Sequence, residues 1–98
     1  MSEIGVTEAE QRRAQEQVLD VREDVGVADG MIPGALHIPM GQLTSRLPEI
    51  DRTRPVIVVC RSGHRSARVA DALIGAGYTA DTMAGGMLAW ERAGLPVR

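Results

Sequence analysis

The chain has no lysine and no phenylalanine, and its 98 residues include one cysteine, one tryptophan and one tyrosine. With aromatic residues at 2% and hydrophobic residues at 44%, the core must be built from aliphatic side chains. The lone cysteine, Cys60, excludes an internal disulfide framework and a two-cysteine redox pair within the chain. The length suits one compact domain, which we expect to span residues 1–98.

Long hydrophobic runs are also missing. No stretch approaches the roughly 20 apolar residues that a membrane span needs, and residues 1–13 lack the basic start and apolar run of a signal peptide. The net charge is −2, so the whole molecule does not attract polyanions. We therefore expect a cytoplasmic protein that binds neither membranes nor nucleic acid.

Basic residues are concentrated in one segment. All eleven basic residues are arginines, and residues 60–70 hold three of them without an acidic residue: Arg61, Arg65 and Arg68. This arrangement predicts a local positive field on a mildly acidic protein.

The pattern of apolar residues predicts the fold class. Residues 56–59 are four consecutive β-branched residues, as in a parallel strand covered on both faces. From about His64 the apolar residues repeat with helical period, up to Gly75 or Gly77. Thr7 and Glu10 fit a capping box that opens a first helix reaching about Gln17. Further strands are predicted at 18–21, 35–38 and 80–83, and further short helices at 42–47 and 87–92, with irregular chain at 22–34.

Strands that alternate with helices at this spacing indicate an α/β domain. We expect a mainly parallel central sheet of four to five strands, flanked by helices on both faces. Ligands of such sheets bind beyond the carboxyl ends of the strands. Cys60 directly follows the strongest predicted strand and is therefore expected at that edge.

The segment after this strand has the features of an activated thiol. A free cysteine has a pKa of about 8.5, so only about 3% is thiolate at pH 7. Lowering the pKa by about two units requires roughly 2.7 kcal/mol, and a helix N-terminus contributes about 0.3–1 kcal/mol. Backbone N–H groups of a tight loop, for which Gly63 is suited, together with the cations of Arg61 and Arg65 could supply the rest.

The same cradle would hold an anionic substrate or a persulfide. No second cysteine is present to resolve an adduct on Cys60, so an external nucleophile must collect whatever the sulfur carries. This favours a ping-pong transferase over a self-contained redox switch.

Three segments resemble the rhodanese sulfurtransferases. Residues 60–65, Cys-Arg-Ser-Gly-His-Arg, are similar to the six-residue active-site loop of that family. Residues 19–23 with 30–39 resemble its N-terminal signature, and residues 85–90 with 94–97 its C-terminal one. The three occur in order and span most of the chain from Val18 onward.

The resemblance implies a single-domain rhodanese that moves sulfane sulfur from thiosulfate, through a Cys60 persulfide, to cyanide or a thiol. The thiol acceptor would be a low-molecular-weight thiol or a thioredoxin-like protein. Cys60 is then the catalytic residue, and the loop that binds the anion consists of Arg61, Ser62, Gly63, His64, Arg65 and Ser66. No cofactor is implied. The two histidines and one cysteine lack a metal-ligand spacing, so no metal is expected.

The sequence departs from the family pattern at two positions. Met31 replaces the usual histidine before residues 32–35, which we interpret as a structural change. Ser62 stands where some thiosulfate-specific members carry lysine, and relatives that use mercaptopyruvate also have serine there. Arg61 and Arg65 favour thiosulfate, a dianion, but the donor stays open between the two.

Other residues and functions are weighed against this interpretation. Asp20 and Arg22 either support the loop or form a structural ion pair, and we favour the ion pair. His64 is expected to supply its backbone N–H and to line the loop rather than to act as a base. A sulfur-relay module loaded by a partner enzyme is the alternative function. A phosphatase or arsenate reductase is disfavoured, because phosphatase relatives carry arginine six positions after the cysteine, where this chain has Ser66.

Overall fold

A computed structural model describes residues 2–98 of the chain, and its centre is a five-stranded sheet. All neighbouring strands run parallel, in the order β1-β5-β4-β2-β3. The strands are β1 (Glu3–Ile4), β2 (Gln17–Asp20), β3 (Leu36–His37), β4 (Val56–Val59) and β5 (Ala80–Met83). The helices are α1 (Val6–Arg12), α2 (Asp24–Val27), α3 (Leu43–Arg46), α4 (His64–Gly75) and α5 (Gly86–Arg92). Single 3₁₀ turns at Met40–Gln42 and Leu47–Glu49 flank α3.

The order of the strands reverses between β2 and β4. The chain leaves β2 toward β3 on one side and leaves β4 toward β5 on the other. At this switch point Asp20 lies opposite Val59, and the Val21 amide donates to the Val59 carbonyl at 3.0 Å. A crevice between the two departing segments is where open parallel sheets bind ligands.

The sheet carries one apolar core on each face, because alternate residues of a strand point to opposite sides. Val56, Val58 and Cys60 pack with Leu73 of α4 and with residues around α3. Ile57 and Val59 pack on the other face with the cluster that contains Ala9 of α1 and Trp90 of α5. Helices thus cover both faces, and the predicted α/β class is confirmed.

The largest local differences from the prediction concern the first helix and two short elements. The first helix begins at Val6, with Gly5 rather than Thr7 as its N-cap, because the Ala9 amide donates to the Gly5 carbonyl. It ends at Arg12, five residues before Gln17, where β2 starts. Strand β1 and helix α2 were not predicted; they are two and four residues long, too short to show a period.

Within residues 2–98, none of the helices combines the length and the apolar character that crossing a membrane requires.

Candidate active site

Cys60 lies one residue beyond β4, on the sheet face that α4 covers, and has no exposed surface. Its sulfur is enclosed by the turn that leads into α4. The Gly63 amide donates to Sγ at 3.1 Å and the Ser66 amide donates to it at 3.4 Å. Two backbone N–H groups therefore converge on one sulfur atom, an arrangement that stabilises negative charge there.

The pKa of Cys60 reflects two opposed influences. Burial raises the pKa, and hydrogen bonds from the Ser66 hydroxyl and from the amides of Ser66, Gly63 and Ser62 lower it. The hydrogen bonds prevail, so the pKa of the thiol lies below its ordinary value. The groups that favour the thiolate are thus a hydroxyl and backbone amides.

Gly63 makes the turn possible. It is the N-cap of α4 with φ of +99°, a left-handed conformation that glycine adopts without strain. A Cβ there would also lie 3.2 Å from the Gly85 amide nitrogen. The sequence predicted a glycine-dependent loop at this position, and the structure contains one.

The Ser66 hydroxyl is oriented by a second buried hydroxyl. Ser66 Oγ lies 3.4 Å from Cys60 Sγ and 2.7 Å from Thr82 Oγ1 on β5. When the sulfur is a thiolate, Ser66 donates to it and Thr82 donates to Ser66. Thr82 was not predicted from the sequence, because its partner is 16 positions away along the chain.

Helix α5 holds the backbone of the Cys60 turn from the other side. The Met87 amide donates to the Cys60 carbonyl at 2.9 Å, and the Leu88 amide donates to the Arg61 carbonyl at 3.0 Å. Gly86 lies so close that a Cβ on it would be 2.5 Å from both carbonyl oxygens. The turn is therefore fixed by α4 and α5 together.

A pocket of about 260 Å³ adjoins the turn at the switch point. The segment after β2 and the start of α4 form its walls, and its lining consists of Arg22, Glu23, Val25, Gly26, Arg61 and Arg65. Arg61 and Arg65 thus face the pocket rather than bond to the sulfur. Neither takes part in an ion pair among residues 2–98.

Asp20 and Arg22 form a buried ion pair, with Arg22 Nη2 2.7 Å from Asp20 Oδ2. Arg22 also donates to the carbonyls of Gly26 and Gly30, both at 2.8 Å. The pair therefore fixes the pocket wall formed by residues 23–30. Its side-chain hydrogen bonds within residues 2–98 do not reach the Cys60 turn.

Ser62 and His64 lie on the outside of the turn. Both are exposed, and Ser62 Oγ lies 3.1 Å from His64 Nδ1. His64 is the first residue of α4 and its ring makes no hydrogen bond to Cys60 among residues 2–98. Across the same described residues, no group of three or more His, Cys, Asp or Glu side chains is placed to hold a metal ion.

The structure is thus an α/β protein whose one cysteine lies at the switch point of a parallel sheet and accepts hydrogen bonds from two backbone amides. The rhodanese-like domain model matches residues 5–93, and the chain belongs to that family. A sulfurtransferase of Allochromatium vinosum is 38% identical over 101 residues, covering 99% of this chain and 94% of the relative. A rhodanese-related protein of Thermoplasma volcanium superposes with a TM-score of 0.95 at 28% identity, covering 100% and 98% of the two chains. A rhodanese-like domain protein of Staphylococcus aureus gives a TM-score of 0.89 at 34% identity, covering 100% and 99%.

Proposed function

We propose that the protein is a sulfurtransferase whose nucleophile is Cys60 and whose sulfur donor is thiosulfate. The observation that supports this most directly is the pair of backbone amides, from Gly63 and Ser66, that donate to Sγ. A persulfide on Cys60 carries the same negative charge one sulfur further out, and N–H groups that favour the thiolate also favour that product.

The transfer runs in two steps. The Cys60 thiolate attacks the outer sulfur of thiosulfate, a new S–S bond forms, and sulfite leaves with the electron pair of the old S–S bond. An acceptor, cyanide or a thiolate, then attacks the outer sulfur of the persulfide. The bond to Cys60 breaks, and its electron pair restores the Cys60 thiolate. No metal or redox cofactor is needed, because each step exchanges one bond to sulfur for another.

Arg61 and Arg65 are proposed to bind the donor anion. Both line the pocket that adjoins the turn, and both are free of ion pairs within the described residues. Cys60 has no exposed surface, so the donor reaches its sulfur only after a local movement near the turn. We infer a cytoplasmic location, where a lone thiol stays reduced.

Intact-mass measurement after incubation with thiosulfate tests the proposal. The wild-type chain should gain one sulfur atom, and Cys60→Ser should gain none. Steady-state rates with thiosulfate and with mercaptopyruvate then identify the donor. Absence of added sulfur with every sulfane donor would refute the transferase function. Rapid loading by a partner desulfurase together with slow thiosulfate turnover would instead favour the sulfur-relay role.

A further inference from the structure

The pocket beside the Cys60 turn contains an acidic group that an inorganic dianion does not require. Glu23 lines it together with Arg61 and Arg65. Arg22 also lines the pocket, but Asp20 neutralises its charge. Within residues 2–98, Glu23 makes no ion pair, as is also true of Arg61 and Arg65. The pocket thus presents one carboxylate and two guanidinium groups that the protein itself leaves uncompensated.

The size of the pocket exceeds that of a small inorganic anion. At about 30 Å³ for a water molecule in the liquid, its 260 Å³ corresponds to roughly nine waters. Its lining is also partly apolar, because it includes Val25, whose side chain is exposed (83%). A ligand complementary to this lining would carry an anionic group, a cationic group and a short hydrocarbon portion.

We propose that the sulfur acceptor is an amino-acid thiol, a small molecule with a thiol, an ammonium and a carboxylate group, of which cysteine is the simplest. This inference rests on the sulfurtransferase function proposed above. The carboxylate binds at Arg61 and Arg65, the ammonium binds at Glu23, and the methylene group contacts Val25. Glu23 is then the residue that selects a zwitterionic acceptor over a purely anionic one.

The acceptor step balances without a further reactant. The thiol loses its proton to solvent, and the resulting thiolate attacks the outer sulfur of the Cys60 persulfide. An S–S bond forms on the acceptor, the bond to Cys60 breaks, and the electron pair returns to Cys60 as thiolate. The product is the persulfide of the amino acid.

Single-turnover discharge of the loaded persulfide tests the selectivity. Cysteine is compared with 3-mercaptopropionate, which lacks the ammonium group. For each thiol, the discharge rate of Glu23→Gln is divided by the rate of wild type, so that the intrinsic reactivity of the thiol cancels. We expect the rate with cysteine to fall about three- to fivefold, as for loss of an exposed ion pair. The rate with 3-mercaptopropionate should rise about threefold, because a repelling carboxylate is gone.

Asp24→Asn is the matched control, since it removes the same charge one position along the chain and outside the pocket lining. It should change both rates by less than about twofold. Equal changes for the two thiols in Glu23→Gln, or equal effects of the two variants, would overturn the inference.

Binding to the unloaded protein separates this inference from the proposed function. S-methylcysteine keeps both charges but has no thiol, and its titration is followed by NMR. We expect saturable shifts at residues 22–26 and at Arg61 and Arg65 that weaken in Glu23→Gln and persist in Asp24→Asn. Persulfide loading without such binding refutes the acceptor class alone, and binding without any persulfide loading refutes the transferase function alone.

Discussion

At the scale of single residues, the charge of Cys60 depends on one side chain more than on any other. Ser66 contributes both its backbone amide and its hydroxyl to the sulfur, and Thr82 orients that hydroxyl. All three side chains are buried, so the hydroxyl has no water to replace the sulfur as its partner. Arg61 and Arg65 lie at the pocket instead, where we propose that they bind the donor anion.

Ser66→Ala should therefore raise the pKa of Cys60. A hydrogen bond to a charged group contributes about 1.5–3 kcal/mol, and the 3.4 Å separation places this one at the weak end, so we expect a rise of about one pH unit. The ultraviolet absorbance of the thiolate, followed against pH, measures the shift. Loading by thiosulfate at pH 7 should slow, by at most about tenfold, and recover above the raised pKa.

Ser62→Ala is the control for this experiment. Its hydroxyl is exposed and lies near His64 rather than the sulfur, and its backbone amide is retained. The thiolate titration should coincide with that of wild type. An unshifted titration in Ser66→Ala, or an equal shift in both variants, would contradict the role given to the Ser66 hydroxyl.

At the scale of secondary-structure elements, the active-site turn is positioned by two helices that start beside it. Helix α4 supplies the amides for the sulfur, and α5 binds the carbonyls of Cys60 and Arg61 through its first N–H groups. This close approach of backbone to backbone is possible because Gly86 lacks a side chain and has φ of +60°.

Gly86→Ala should displace α5 from the turn. The added methyl group would overlap two carbonyl oxygens, and the residue would hold a left-handed conformation that strains any side chain. We expect the free energy of unfolding to fall by at least about 2 kcal/mol, measured by chemical denaturation, with slower persulfide loading under folding conditions.

Gly75→Ala is the control, because nothing lies within 4 Å of its Cβ position and its φ is not positive. It should leave stability unchanged or raise it by up to about 1 kcal/mol. Stability within about 0.5 kcal/mol of wild type in Gly86→Ala would contradict this account.

The elements that the sequence predicts correctly are those whose own pattern determines them. Strands β4 and β5 have the predicted bounds, and α4 begins at His64 and ends at Gly75, the first of the two ends that the sequence allows. Helix α2 was missed because its four residues include Val25, Gly26 and Val27, which disfavour a helix. Arg22 donates to the carbonyls of Gly26, within α2, and of Gly30, beyond it. No local sequence pattern reveals these hydrogen bonds.

The same distinction applies to the site. The position of Cys60 at the end of a buried strand follows from the β-branched run before it, and the need for Gly63 follows from the short turn. Thr82 and Glu23 could not be found in this way. Their roles depend on how β5 packs against α4 and on how the segment after β2 faces the start of α4.

At the scale of the whole molecule, the parallel sheet brings the groups of the candidate active site together. The carboxyl ends of β2, β4 and β5 meet at one edge of the sheet. The segment after β2 forms the pocket wall, the segment after β4 carries the thiol, and the segment after β5 leads into helix α5. The negative charge of the thiolate is stabilised by hydrogen bonds from the segment that follows β4, and nearly all of it is absent from the unfolded chain at neutral pH. Folding and ionisation of Cys60 are therefore coupled.

This coupling predicts that stability depends on pH through one sulfur atom. The pKa of Cys60 is lowered in the folded state and is about 8.5 in the unfolded state. Between these two values the unfolded chain binds one proton more than the folded chain, so the free energy of unfolding rises with pH, by up to about 1.4 kcal/mol per pH unit. The contribution is complete above the unfolded pKa and is lost as pH falls through the folded pKa.

Cys60→Ser provides the reference, because it removes the titrating sulfur and leaves all other ionisable groups in place. The difference in unfolding free energy between wild type and this variant, measured by urea denaturation across the pH range, should be flat in acid, rise toward pH 8.5, and then level off. A difference that falls with rising pH would mean that burial prevails and that the folded protein disfavours the thiolate. In that case the amides of Gly63 and Ser66 would not suffice to ionise the sulfur, and the proposed transfer would lose its nucleophile.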